Sequence, residues 1–362
     1  MSKLADALPP GVLAGGLRFV FALPAPLRRL IAGRPIVLDG QRLHPDSQLL
    51  LRLQRLTGES WSHTSAAANR AGLSRATGLI GGPVPDGVAV RALSVPRDGG
   101  EIPVRLYRPD GLADGSPLLI FHHGGGWVSG DLDTHDNLCR HLALEAGVRV
   151  LSVDYRLAPE HPFPAAVDDA WTAWEWAVEH AGELGADPAR IALGGDSAGG
   201  NLSAATAHRA AGGSGPRPVF LLLFYPGLDA SRRRRSRELF GNGFFLTDEK
   251  MDWFVDQYAP DRATRVDPRL SVLLADDLSG LPPTYVATAG FDPLRDEGEA
   301  FAERLAESGV PVVLRRHEGL FHGFANALGV GTAFRLAVAE AVGALRTGLA
   351  LANSATDVPE TA

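Results

Sequence analysis

The rhythm of apolar and polar positions changes near residue 86. Over residues 1–85 apolar residues recur at helical spacing, most strongly in Leu49-Leu50-Leu51-Arg52-Leu53-Gln54-Arg55-Leu56, a run that Gly58 ends. Gly78 to Gly87 is rich in Gly and Pro and reads as a boundary loop. Short apolar runs then predict strands at Val88–Val95, Ile102–Tyr107, Leu118–His122, Val148–Val153, Ile191–Leu193, Val219–Phe224, Thr284–Ala289 and Val310–Arg315. From the third strand on, helical patterns fall between them, at Leu138–Ala146, Ala165–His180, Ser197–Ala211 and Glu297–Ser308. Two strands in succession followed by strand–helix alternation predict an α/β domain over residues 86–350, with an eight-stranded, mostly parallel sheet flanked by helices. The stretch from Tyr225 to about Leu281 is too long for a simple loop and holds a helical pattern, Asp248–Tyr258. It predicts an insertion at about residues 228–275 over one end of the sheet. Residues 351–362 read as a flexible tail. Ligands of open α/β sheets bind beyond the carboxyl ends of the strands, so chemistry is expected there.

Composition narrows the classes. With 35 Lys+Arg against 42 Asp+Glu, the net charge of −7 argues against a polyanion binder held by bulk charge, and no nucleic-acid partner is expected. Cys139 is the one cysteine, which excludes an intrachain disulfide and a thiolate zinc site. The apolar stretch from Gly11 to Ile31 is broken by Arg18, Pro24, Pro26, Arg28 and Arg29. It is neither a membrane span nor a persuasive signal peptide. It reads either as a cover over the protein's own pocket or as a segment in weak association with a membrane surface. A cytoplasmic location is the default expectation, and a homodimer is left open.

Gly195-Asp196-Ser197-Ala198-Gly199 follows the strand Ile191–Leu193 and opens a helix. A serine on such a tight turn needs small neighbours two residues to either side, and the helix N-terminus favours negative charge developing nearby. A helix-capping serine alone does not explain glycines on both sides. His122-His123-Gly124-Gly125-Gly126-Trp127 follows the strand Leu118–His122 and exposes backbone N–H groups to an anion. The Gly-Lys-Ser/Thr ending of a phosphate loop is absent from it. The two loops together can supply an oxyanion hole, with Gly124, Gly125, Gly126 and the amide of Ala198 as candidate donors. A serine nucleophile needs a base and an orienting acid. Asp292 and His322 each lie past a strand's carboxyl end, in the chain order Ser…Asp…His. His317 competes as base but sits too near its strand, whereas Gly319 and Gly323 frame a loop around His322. Asp296 and Glu297 read as helix-capping and loop-bracing residues.

These motifs together resemble the bacterial esterases of the hormone-sensitive-lipase family, within the α/β-hydrolase superfamily. The resemblance spans roughly Leu93 to Leu345 and rests on His123-Gly124-Gly125-Gly126, Asp154-Tyr155-Arg156-Leu157-Ala158-Pro159-Glu160, Gly195 through Gly200, Asp292-Pro293-Leu294-Arg295-Asp296-Glu297 and His322-Gly323-Phe324. It implies a triad of Ser197, Asp292 and His322, with oxyanion amides at Gly125, Gly126 and Ala198. It also implies a supporting role for the Tyr155 stretch, and a helical cap made of residues 1–85 and the insertion. No metal or organic cofactor is implied. Trp127 and Phe245 are candidate substrate contacts, with Phe244, Trp253 and Phe254 as further aromatics for an acyl pocket. The basic run Arg232-Arg233-Arg234-Arg235-Ser236-Arg237 reads as a solvated loop, with attraction to an acidic partner or anionic lipid as the alternative.

The function expected is hydrolysis of short- to medium-chain carboxylic esters through an acyl-enzyme. Amide or lactone hydrolysis would use the same machinery. A non-catalytic small-molecule binder is the reading from another class, since plant hormone receptors share the scaffold, but here the base histidine is in place.

Overall fold

The computed structural model describes residues 10–57 and 65–356. The N-terminal part forms helices α1 (Pro10–Ala22), α2 (Ala25–Ala32), α3 (Pro45–Thr57) and α4 (Ala66–Ile80). Pro24 and Pro26 separate α1 from α2, because proline is accepted in a first turn but not in a helix interior. Ser65 caps α4 by accepting from the Ala68 N–H at 3.3 Å. Between α2 and α3 lies a hairpin, β1 (Val37–Leu38) and β2 (Gln41–Arg42), that the periodicity did not reveal. Its turn is Asp39-Gly40, both at positive φ, a pairing that suits a two-residue hairpin loop.

The main sheet comprises β3 (Val88–Arg97), β4 (Gly100–Pro109), β5 (Ser116–His122), β6 (Arg149–Val153), β7 (Ala186–Asp196), β8 (Leu221–Phe224), β9 (Thr284–Phe291) and β10 (Val312–Phe321). Its order is β10-β9-β8-β7-β5-β6-β4-β3, with β4 antiparallel to both neighbours and every other neighbouring pair parallel. The strands β6, β8 and β9 are buried along their whole length, as near-continuous apolar runs covered on both faces must be. On one face pack α6 (Ala165–Glu179), α7 (Ala198–Ala211) and α10 (Arg295–Glu307); on the other pack α5 (Asp136–Ala146) and α11 (Thr332–Thr356). From β5 the chain passes over one face to β6, then over the other face back to β7. The strand order therefore reverses at β5, and a crevice opens beyond the carboxyl ends of β5 and β7.

Two expectations need correction. First, β10 extends to Phe321, with irregular pairing to β9 between His317 and Phe321. Gly319 therefore lies within the strand, and His322 follows directly on its end instead of sitting in a glycine-framed loop. Second, α11 continues to Thr356, past the expected boundary at 350. Residues 357–362 of the expected tail lie outside the described residues, as do Gly58 and the first nine residues.

The insertion after β8 carries α8 (Arg235–Phe240), α9 (Asp248–Tyr258) and two short 3₁₀ turns. Its arginine run is matched by acids of the fold itself. Arg232 and Arg234 pair with Asp229, Arg233 and Arg237 with Asp248 and Asp252, and Arg235 with Asp39 of the hairpin turn.

Candidate active site

Ser197 joins β7 to α7 at φ 55°, ψ −117°, a backbone conformation costly for a residue with a Cβ. The turn is held by the Ser197 N–H donating to the Phe224 carbonyl at 2.9 Å, while the Ser197 carbonyl accepts from Asn201 and Gly227. A Cβ on Gly199 would collide with the His122 carbonyl, so close contact between the nucleophile turn and β5 requires glycine there.

His322 Nε2 lies 2.9 Å from Ser197 Oγ, and its Nδ1 lies 2.8 Å from Asp292 Oδ2. With Nδ1 protonated toward the carboxylate, Nε2 is left as the acceptor for the serine proton. Asp292 is fully buried at the end of β9, and its other oxygen accepts from the Leu294 N–H at 2.8 Å. The Tyr225 ring packs against the imidazole with centroids 4.7 Å apart. His317 is elsewhere. It stacks edge-on with Phe324 from within β10, and burial pushes its imidazole down to about 4.

The glycine loop follows β5. Gly125 and Gly126 take positive φ, and together with Ala198, Ser197 and His322 they line one cavity. Gly124 does not serve as expected, because its N–H donates to Asp196 Oδ1 at 2.8 Å. It anchors the loop, leaving the amides of Gly125, Gly126 and Ala198 as the donors available to an oxyanion. Asp196 is the residue that motif reading passed over. It is buried, with His135 Nε2 at 3.1 Å from Oδ1, and it accepts from Asn326 Nδ2 at 3.2 Å and from the Tyr225 hydroxyl at 3.4 Å. Burial works to raise its pKa, but His135 and the Gly124 amide outweigh it and hold the carboxyl below its usual range. Its position inside the quoted motif was the one available signal. From the Tyr155 stretch, the Tyr155 hydroxyl donates to the His123 carbonyl at 2.7 Å and Arg156 chelates Asp169. Glu160 pairs with Arg70 of α4.

The cavity measures about 130 Å³ and is lined mainly by apolar side chains. Leu73, Ala76 and Ile80 of α4 close one side, and Leu246, Met251 and Phe254 of the insertion another. Trp127 and Phe245 both line it. Trp127 stacks on Tyr258 at 4.8 Å, and Phe254 packs so closely on Gly126 that no side chain fits there. Phe244 instead packs on Phe240 and Phe291 in the core, and Trp253 is not among the lining residues.

A serine–histidine–aspartate arrangement beside three backbone amides, at the switch point of this sheet, defines an α/β hydrolase of the serine type. Residues 119–326 match the family model described as alpha/beta hydrolase fold. The chain belongs to the hormone-sensitive-lipase-like family of α/β hydrolases and is an enzyme. It is 48% identical over 343 residues to the carboxylic ester hydrolase LipN of Mycobacterium tuberculosis, covering 92% of this chain and 91% of that one. It is 45% identical to the ethyl acetate hydrolase of Pseudomonas putida, over 66% of this chain and 76% of that one. Among solved structures, an α/β hydrolase from the Lake Arreo metagenome matches with a TM-score of 0.81 and 38% identity, covering 85% of this chain and 99% of the other.

Proposed function

We propose that the protein hydrolyses carboxylic esters of short to medium acyl chains through an acyl-enzyme on Ser197. The observation that carries this is the unbroken relay from Asp292 through His322 to Ser197 Oγ, at 2.8 and 2.9 Å, facing the same cavity as the Gly125, Gly126 and Ala198 amides. In this reading His322 Nε2 takes the serine proton as Oγ attacks the ester carbonyl, and Asp292 holds the imidazole and stabilises its charged form. The three amides hold the oxyanion. The imidazolium then gives its proton to the departing alcohol. A water activated by the same nitrogen releases the acid.

Cavity size supports the short-chain end of this preference. An apolar cavity of about 150 Å³ holds a benzene-sized guest, and the space here is about 130 Å³. Each methylene that fits adds about 0.8 kcal/mol of burial until the wall is met. Turnover of p-nitrophenyl esters should rise from acetyl to about butyryl–octanoyl and then fall toward palmitoyl. Ser197→Ala should lower it roughly 10³–10⁶-fold and abolish labelling by a fluorophosphonate. Labelling that survives in the variant, or fastest turnover of palmitoyl esters, defeats the reading.

A further inference from the structure

The outer layer of the cap combines two features that the ester chemistry leaves unused. Residues 10–38 hold four arginines, Arg18, Arg28, Arg29 and Arg34, and no aspartate or glutamate, in a chain of net charge −7. Arg28 pairs with Asp46 of α3, whereas Arg18, Arg29 and Arg34 are exposed. The same segment leaves large apolar side chains in water. On α1, Val12 and Phe19, seven residues apart on one face, are 56% and 68% exposed. On α2, Leu27 and Leu30, three apart, are 47% and 77% exposed. Their opposite sides are committed to the fold through buried Ala14, Phe21 and Ala32, with α1 packed on α4 and α2 on α3. Single exposed apolar residues are ordinary. Four large ones on two consecutive helices, accompanied by unmixed positive charge, are the composition of a helix that lies on an anionic interface.

We propose that α1 and α2 dock this enzyme on the surface of an anionic lipid bilayer, with Phe19 and Leu30 in the acyl boundary and Arg18, Arg29 and Arg34 on the lipid phosphates. No helix among the described residues is long and apolar enough to cross a membrane, so the association is peripheral. A second copy is the poorer occupant, because a two-fold contact through this face would set its arginines against one another. Nucleic acid would use the charges but leave the apolar side chains in water. The proposal does not depend on the ester chemistry, although α4, on which α1 rests, also lines the cavity.

Flotation of the full-length protein with vesicles of ether-linked lipids, which offer no ester to cleave, tests it. Vesicles of phosphatidylcholine with phosphatidylglycerol should carry the protein about tenfold or more better than phosphatidylcholine alone, and added salt should release it. Phe19→Ser with Leu30→Ser, and separately Arg18→Ser with Arg29→Ser and Arg34→Ser, should each cut flotation about tenfold or more. Both variants should keep wild-type melting and wild-type turnover of a water-soluble ester. Equal flotation by the variants, or wild-type protein that never floats, overturns the proposal. It also fails if light scattering shows a dimer that F19S/L30S splits without any flotation, which would assign the face to a second copy.

Discussion

The most informative perturbation is at Asp196, whose carboxylate bonds to neither His322 nor Ser197 Oγ and yet holds the glycine loop. Its Oδ1 takes the Gly124 N–H at 2.8 Å, and the carboxylate is buried with His135, Asn326 and Tyr225 around it. Asparagine can keep an oxygen on the Gly124 amide but loses the charge, which about halves the strength of such a bond. That loss is about 1 kcal/mol, and a 1.4 kcal/mol rise in barrier is about tenfold in rate. Alanine removes that acceptor altogether and leaves the Gly124 N–H with only the longer bond to His135 Nε2, at 3.4 Å. The loop that presents Gly125 and Gly126 is then weakly anchored at its first residue. Losing one oxyanion donor costs about 10²–10³ in kcat, and this sets the scale for Asp196→Ala. The expected series in kcat for a butyryl ester is therefore wild type, then D196N about fivefold lower, then D196A about 10²–10³ lower, with KM changing much less. Circular dichroism and a melting curve establish that each variant is folded. If kcat stays level across the series while the melting temperature falls, Asp196 supports the fold alone and the anchoring argument is wrong.

Three further outcomes follow from the geometry. His322→Ala should abolish turnover while His317→Ala keeps most of it, since the His317 ring lies against Phe324 within β10; the reverse result in steady-state kinetics would reassign the base. Glu297 is buried, and burial pushes its carboxyl up to about 8 against the opposing pull of the Leu228 amide. The folded protein thus keeps a proton that the unfolded chain, near its ordinary value of 4.5, has released. The contribution of Glu297 to wild-type stability should therefore fall as pH rises from about 4.5 to 8. Glu297→Gln has no proton to lose, so its advantage over wild type in denaturant titrations should grow across that window by up to several kcal/mol; a constant difference would refute the buried-proton assignment. Arg237→Gln removes a largely buried partner of Asp248 and Asp252 and should loosen the insertion. It should raise KM for the butyryl ester several-fold and leave acetyl-ester kcat nearly unchanged, with an equal effect on both parameters counting against it.

Much of the site was legible because each chemical residue follows the end of a strand that its own apolar run announces. Ser197 follows β7, the glycine loop follows β5, and Asp292 follows β9. His322 does lie within hydrogen-bond distance of Ser197 and Asp292, but its surroundings differ from those expected. Whether Gly319 continues β10 depends on how that strand pairs with β9, and the pairing irregularity after His317 has no local signature. The role of Gly124 was misread for a similar reason. Three glycines in a row look equivalent until Asp196, 72 residues later, claims the first of them. The arginine run illustrates the limit from the charge side, since Arg235 meets Asp39 across 196 residues and only the folded chain reveals the match. By contrast, the Asp39-Gly40 hairpin carried a readable signal, two residues that accept positive φ directly after the apolar run Ile36–Leu38.

The pairing of β5 with β7, His122 opposite Gly195, has an evolutionary consequence. Ser197 and the glycine loop hang from adjacent strands, whose spacing of about 4.8 Å is a property of the sheet. Exchange of cavity-lining residues such as Leu73 of α4 or Met251 of α9 alters which molecules are admitted, whereas Phe254 of α9 rests on Gly126 and is tied to the loop. A change inside β5 or β7 slows every substrate alike. Side chains of the cavity wall can therefore drift while the strand spacing is kept.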